Sequence, residues 1–133
     1  MATTEMILET VGLTAGLDRS KASQAIDALM ACERDSTVCG NAMAALGGEL
    51  VVATHAAADC ADICGVALRV LERATAPDPR VVKQVLQAAI AAADRSASLC
   101  GQQSSHHTHC RVHSESARQA ADACRALVAG LTG

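Results

Sequence analysis

The stretch HHTHCRVH, residues 106–113, gathers four of the five histidines and one of the seven cysteines of a 133-residue chain into eight positions. Imidazole and thiolate are ligands for transition metals. A metal site is therefore the first chemistry these residues allow. A solvated turn between two helices is the plainer reading. The choice depends on where Cys32, Cys39, Cys60, Cys64, Cys100 and Cys124 point.

Seven cysteines is an odd number and a high density. Thiols stay reduced in a cytoplasm, so metal binding or redox chemistry is favoured over a disulfide framework. In ADCADICGVAL, Cys60 and Cys64 stand one helical turn apart on one face, where two thiolates can grip one ion without breaking the helix. Structural zinc sites are usually built from tight Cys-x-x-Cys knuckles, and the chain has none. The closely spaced cysteine runs of iron–sulfur proteins are missing too. Soft thiolate with imidazole and thioether nearby selects Cu(I). Met43 fits that set, though core filling is the favoured reading of it. Asp59, Asp62 and His55 lie off the inward face and read as solvated surface. There is no phosphate-cradling glycine loop and no Ser-His-Asp spacing.

The elements that position these residues must be helices. Half of the residues are apolar, yet Phe, Tyr and Trp are absent. Alanine dominates, and it favours helix most; a sheet would call for aromatic and β-branched residues. Gly47-Gly48 marks a stop. Ala76-Pro77-Asp78-Pro79 marks a stop and a restart, with Asp78 as cap and Pro79 in the first turn. A third break falls within Gly101 to Thr108. Gly12 and Gly16 separate a short N-terminal piece from a helix capped by Asp18 or Ser20. Helices are expected at roughly 3–11, 18–46, 49–75, 79–104 and 108–130.

Each long segment carries an inward seam with alternating steps of three and four. The seams are Ala25, Leu29, Cys32, Ser36, Cys39, Met43, Leu46; Leu50, Ala53, Ala57, Cys60, Cys64, Ala67, Leu71; Leu86, Ala89, Ala93, Ser96, Cys100, Gln103; and Cys110, His113, Ala117, Ala120, Cys124, Leu127, Leu131. This predicts an all-α fold, an antiparallel up-down four-helix bundle with a short extra N-terminal helix, in a single domain spanning 1–133. Leu29, Leu46, Leu50, Leu71, Leu86 and Leu127 should supply most of its stability. All seven cysteines fall on the seams. Cysteine can serve simply as a small core residue, but seven of seven argues for ligands. At about 1.5 Å rise per residue, Cys39, Cys100, Cys110 and His113 fall near the end that holds HHTHCRVH. Cys32, Cys60, Cys64 and Cys124 fall deeper. His109 is expected to face solvent beside the seam.

The net charge of -3 is scattered. There is no basic stripe and no aromatic to stack on a base, so nucleic acid is not an expected partner. No secretory signal is apparent, and no apolar run approaches the ~20 residues of a membrane span. A cytoplasmic place is expected. Outward Ala and Val are compatible with a homo-oligomer.

Asp59-Cys60-Ala61-Asp62-Ile63-Cys64, running on to Arg73, is similar to the second-helix signature of the cytosolic copper storage proteins, bacterial Cys-rich four-helix bundles. His109-Cys110-Arg111, leading to Ala123-Cys124-Arg125, resembles their fourth helix, and His106 and His107 match their His-rich turn. The resemblance covers roughly residues 20 to 130. It implies Cu(I) as cargo, with Cys32, Cys39, Cys60, Cys64, Cys100, Cys110 and Cys124 as thiolate ligands and His106, His107 and His113 at the mouth. Ala53, Ala57, Ala117, Ala120, Ser36 and Ser96 depart from the family, which fills nearly every inward position with Cys. His113 also stands where a thiol is expected. Seven thiolates hold about two to four ions if each takes two or three soft ligands. Two functions remain open: storage, buffering or delivery of Cu(I), or a copper-dependent oxidoreductase built around a Cys/His site.

Overall fold

The computed structural model describes residues 3–11, 17–73 and 78–131, with α1 side chains described for 3–7. These residues form α1 (Thr3–Val11), α2 (Arg19–Leu46), α3 (Val51–Glu72), α4 (Pro79–Gly101) and α5 (Thr108–Ala129). A single 3-10 turn, Gly48–Leu50, leads into α3. The four long helices alternate in direction. α2 and α4 each pack against both α3 and α5, which closes a four-cornered bundle. α1 lies on the outside of α2, where Thr4 Oγ1 donates to Asp27 Oδ1 at 2.8 Å.

Local chemistry sets the helix ends. Asp18 caps α2, accepting from Lys21 N at 2.8 Å. Asp78 caps α4 in the same way through Arg80 N at 2.9 Å, with Pro79 at the first helical position. Such caps satisfy amide groups that have no partner within the helix. After Leu46 the chain reverses through Gly47 and Gly48, both left-handed at φ 67° and 62°, where a Cβ would be strained. The α4–α5 turn is different. Gln103 N bonds Cys100 O at 3.0 Å and Ser104 N bonds Gly101 O at 3.2 Å. The winding therefore tightens after Gly101, and α4 stops short of the expected residue 104. Likewise α3 begins at Val51 and ends at Glu72, inside the expected 49–75. The breaks at Gly12, Gly16 and Ala76-Pro77, and residues 74 and 75, lie outside the described residues.

The core divides along its length. Leu29, Leu68, Leu71, Val82, Leu86 and Leu127 gather at one end with Ile26. Between them and the other end, the interior is alanine, serine and cysteine. The inward seams are buried as expected, with three exceptions at helix ends. Leu46 is 57% exposed, because α2 has reached its last residue and its partner chain has already turned away. Gln103 and Leu131 fall beyond their helices and are half-buried.

By length and composition, Gly48–Glu72 is apolar enough to cross a membrane, which the sequence reading did not anticipate. Alanine and cysteine raise its mean hydropathy, although His55, Asp59 and Asp62 interrupt any continuous apolar run. Half of its most apolar window is buried inside the bundle, as a core helix requires.

Leu86→Ala, fully buried in the leucine-rich end, is expected to lower the unfolding free energy by about 2–5 kcal/mol. Leu46→Ala should change it by no more than about 0.5 kcal/mol. Urea unfolding followed by circular dichroism measures both, and comparable losses would contradict this division of the core.

Candidate metal centre

Two groups of soft ligands form inside the bundle. The inner group joins α2 to α3. Cys32 Sγ lies 3.4 Å from Cys60 Sγ and 3.8 Å from Cys64 Sγ, and Cys60 and Cys64 are 3.9 Å apart. All three thiols are fully buried. The i,i+4 spacing of Cys60 and Cys64 puts both sulfurs on one face, and Cys32 meets them from the neighbouring helix. The sulfurs lie within 4.8 Å of one another, close enough to share one ion.

The outer group joins α2 to α5. Cys39 Sγ lies 3.9 Å from Cys110 Sγ. His109 Nδ1 lies 3.3 Å from Cys39 Sγ and 3.5 Å from Cys110 Sγ. These three ligand atoms are again within 4.8 Å of one another. Cys100 on α4 packs in the same core cluster as Cys39 and Cys110. Met43, Leu50, Ala53 and Ala57 pack around it, so Met43 acts here as core filler.

His109 was expected to face solvent, and its inward turn is a correction. It occupies the second position of α5, beside the seam. There the imidazole is long enough to reach over Cys110 to Cys39. The signal for it was present: a histidine adjacent to a seam cysteine at a helix start. His107 stacks on His109 with ring centroids 5.3 Å apart and is half-buried, while His106 is exposed in the turn. Neither belongs to the groups of converging ligand atoms.

His113 was expected near the mouth but lies between the two groups. It is fully buried. Its Nδ1 is 3.3 Å from Ser36 Oγ and its Nε2 is 2.7 Å from Ser96 Oγ. Ser36 donates its proton to Cys60 Sγ at 3.3 Å. His113 Nδ1 must therefore carry the hydrogen given to Ser36, and Nε2 accepts from the Ser96 hydroxyl. Cys124 also departs from expectation. It shares the large core cluster with Cys32, Cys60 and Cys64, but it is not one of the converging sulfurs.

The thiols are electrostatically unequal. Hydrogen bonds from Cys32, then from Cys64, hold Cys60 far below the usual thiol range, to about 3. Cys32 is pushed up to about 12, first by its bond to Cys60. Cys64 is raised by its bonds to Cys32 and Cys60 and by burial. In the outer group, the bond from Cys39 lowers Cys100 to about 5, while the same bond and burial raise Cys39. Burial raises Cys110. Burial also lowers His109, with His107 contributing, which favours the neutral imidazole that a metal ligand requires. The lowering thus falls on Cys60 in the inner group and on Cys100 beside the outer one, and the raising on their neighbours. Burial pushes Cys124 up to about 12, against a smaller lowering by Arg125.

Comparison with known proteins follows the same lines. The family model described as copper storage protein matches residues 18–129. A solved structure of the copper storage protein Ccsp from Streptomyces lividans, loaded with 10 copper equivalents, is 31% identical with a TM-score of 0.88. The match covers 97% of this chain and 100% of that one. A structure of the cytosolic copper storage protein from the same organism with five coppers is also 31% identical, with a TM-score of 0.79. It covers 85% of this chain and 96% of its own. No curated protein sequence matches.

The raised thiols give the metal-free protein a pH dependence. Cys32 and Cys124 move from the ordinary value of 9.0 to about 12. Above pH ~9 they ionise in the unfolded chain but stay protonated in the folded one. The folded state then binds more protons, and stability must fall as pH rises. Their contribution is complete below about pH 9 and is lost as pH rises toward 12. Thermal melts of the metal-free protein should therefore show a falling Tm between about pH 9 and 11, above the range in which the lowered Cys60 and Cys100 act in the opposite sense, with a shallower fall in Cys124→Ala. A Tm that rises over that window would contradict the assignment.

Proposed function

This chain belongs to the copper storage protein family, and on that premise we propose that it holds a small Cu(I) cargo in two ligand groups, Cys32–Cys60–Cys64 and Cys39–Cys100–Cys110–His109. The observation that carries the proposal is the convergence of three buried thiols from two helices within 4.8 Å. Thiolate selects Cu(I) over harder ions. Each thiol that binds gives up its proton as the copper–sulfur bond forms. With two or three soft ligands per ion, the capacity is about two to four ions, a reduced load for this scaffold.

His106 and His107 stand at the rim, where they hand copper to His109 beside Cys39. His107 is already stacked on that ring. The cytosolic place follows the description of the Streptomyces lividans relative. Exposed Val51, Val52 and Val66 supply apolar surface for pairing with a second copy.

Storage or buffering accounts for this geometry better than a copper oxidoreductase does. The enzyme reading rested on a mixed Cys/His site near an open end, on the loss of bulk ligands and the small lining, and on His113 as an added ligand. His113 lies fully buried, with both nitrogens engaged by serines.

Anaerobic Cu(I) titration against a chelating competitor tests the reading. The native protein should bind about two to four ions tightly. Replacing both Cys60 and Cys64 by Ser should remove at least one of them and leave the helical spectrum unchanged. Full stoichiometry in that variant, or a preference for Zn(II) over Cu(I) in the native protein, would overturn it.

A further inference from the structure

The two ligand groups do not run into one another. Ser36 from α2, Ser96 from α4 and His113 from α5 occupy the level between them. Along α2, Cys32 and Cys39 are seven residues apart, or about 10 Å. A single ion spans two sulfurs at most about 4.6 Å apart, taking ~2.3 Å for each metal–thiolate bond. Copper on the inner group can reach copper on the outer group only through a soft atom at the level between.

That level supplies none that is free. Serine hydroxyls are hard, neutral oxygens that Cu(I) binds poorly. Among the described residues, His113 is the one soft group there; its nitrogens are hydrogen-bonded to Ser36 and Ser96, and its ring also acts on Cys100. The arrangement is tightly locked. Ser36 Oγ also donates to Cys60 Sγ at 3.3 Å and lies 3.6 Å from Cys32 Sγ. Ser96 Oγ lies 3.9 Å from Cys100 Sγ. Among the described residues, no buried side-chain nitrogen or oxygen is left without a partner. Freeing either His113 nitrogen for a metal would break a buried hydrogen bond to serine and leave that hydroxyl only its weaker sulfur contacts.

The helices contribute unequally to the two levels. The inner thiols come from α2 and α3 alone, and the α3 positions level with the outer group are Ala53 and Ala57. The outer ligands come from α2, α4 and α5. The inward positions of α4 and α5 beyond the serine–histidine level are Ala93, Ala89, Ala117 and Ala120. Among the described residues, α2 carries a converging thiol on both sides; α5 carries Cys110 on the outer side and Cys124 on the inner side, the latter apart from the converging sulfurs.

We propose that Ser36, His113 and Ser96 form a partition that divides the copper-binding core into two sites loading independently, an inner all-thiolate site and an outer mixed thiolate–imidazole site, with His113 held off the metal. The proposal rests on the copper reading above and adds to it the number of sites and the residues that keep them apart. Serine at 36 and 96 is then a determinant of capacity, because a thiol at either place would supply the missing bridge.

Chelator-competed anaerobic Cu(I) titrations of four proteins test this. The native protein should load in two phases. Replacing Cys39 and Cys110 by Ser should abolish one phase and leave the stoichiometry and affinity of the other within about twofold, as sites without shared ligands behave. Replacing Ser36 and Ser96 by Cys should merge the phases into one and add at least one ion, a gain that a merely structural role would not produce. His113→Gln, whose amide can still meet both serines, should keep the native ion count. A tenfold or larger change in the surviving phase of the Cys39/Cys110 variant overturns the partition, as does loss of an ion in His113→Gln or two unchanged phases in the Ser36/Ser96 variant. Absence of tight Cu(I) binding by the native protein overturns the copper reading itself, which separates that failure from a failure of the partition.

Discussion

Sulfurs on neighbouring helices can approach to 3.4 Å, as Cys32 and Cys60 do, only where the side chains between the helices are small. That constraint governs the rest of the molecule. It explains an interior of Ala, Ser and Cys and the lack of Phe, Tyr and Trp. Gly40 fits it as well, since a Cβ there would already lie 3.4 Å from Ala57 Cβ. Small side chains bury little apolar area, so hydrophobic stabilisation has to come from elsewhere. It comes from the leucines and valines gathered at the end opposite the histidine-bearing turn. One end holds the bundle together, which leaves the other free to present ligands.

The same constraint creates a problem that the serines solve. A buried imidazole needs partners for both nitrogens, and a core of alanine and thiols offers few. Ser36 and Ser96 provide them, and in doing so they occupy positions where thiols would otherwise extend the ligand track. Polar satisfaction and copper capacity are therefore in competition at one level of the bundle. Within each ligand group, hydrogen bonds among thiols have a parallel effect. They favour ionisation of Cys60 and Cys100 and disfavour that of Cys32, Cys39 and Cys64. Ionising one thiol ahead of its neighbours spares the cost of several like charges buried side by side.

Much of this was legible in the chain alone. The seam periodicity predicted four helices in antiparallel order and the burial of every cysteine; residue chemistry marked the cap at Asp78, a cap at Asp18 or Ser20, and the reversal at Gly47-Gly48. Periodicity reports the angle at which a side chain leaves its helix. It carries no distance to the next helix. That is why Cys124, on the correct face, was grouped with Cys32 and Cys64, although the structure keeps it out of the converging sulfurs. It is also why Leu46 was counted as core: a seam residue is buried only while a partner helix still runs beside it.

The sequence by itself determined which residues face inward and which end of the bundle carries the histidines, because helix propensity and the 3.6-residue repeat are local properties. Only the tertiary structure decided which inward groups touch. It brought His109 over Cys110 to Cys39 and set His113 between Ser36 and Ser96. It also set the membership of the two tiers expected from the chain, leaving Cys124 out of the converging sulfurs. These outcomes depend on helix registration across the bundle to within about one turn, roughly 5 Å, and on which hydrogen bonds remain once water is excluded. Both are properties of the packed molecule.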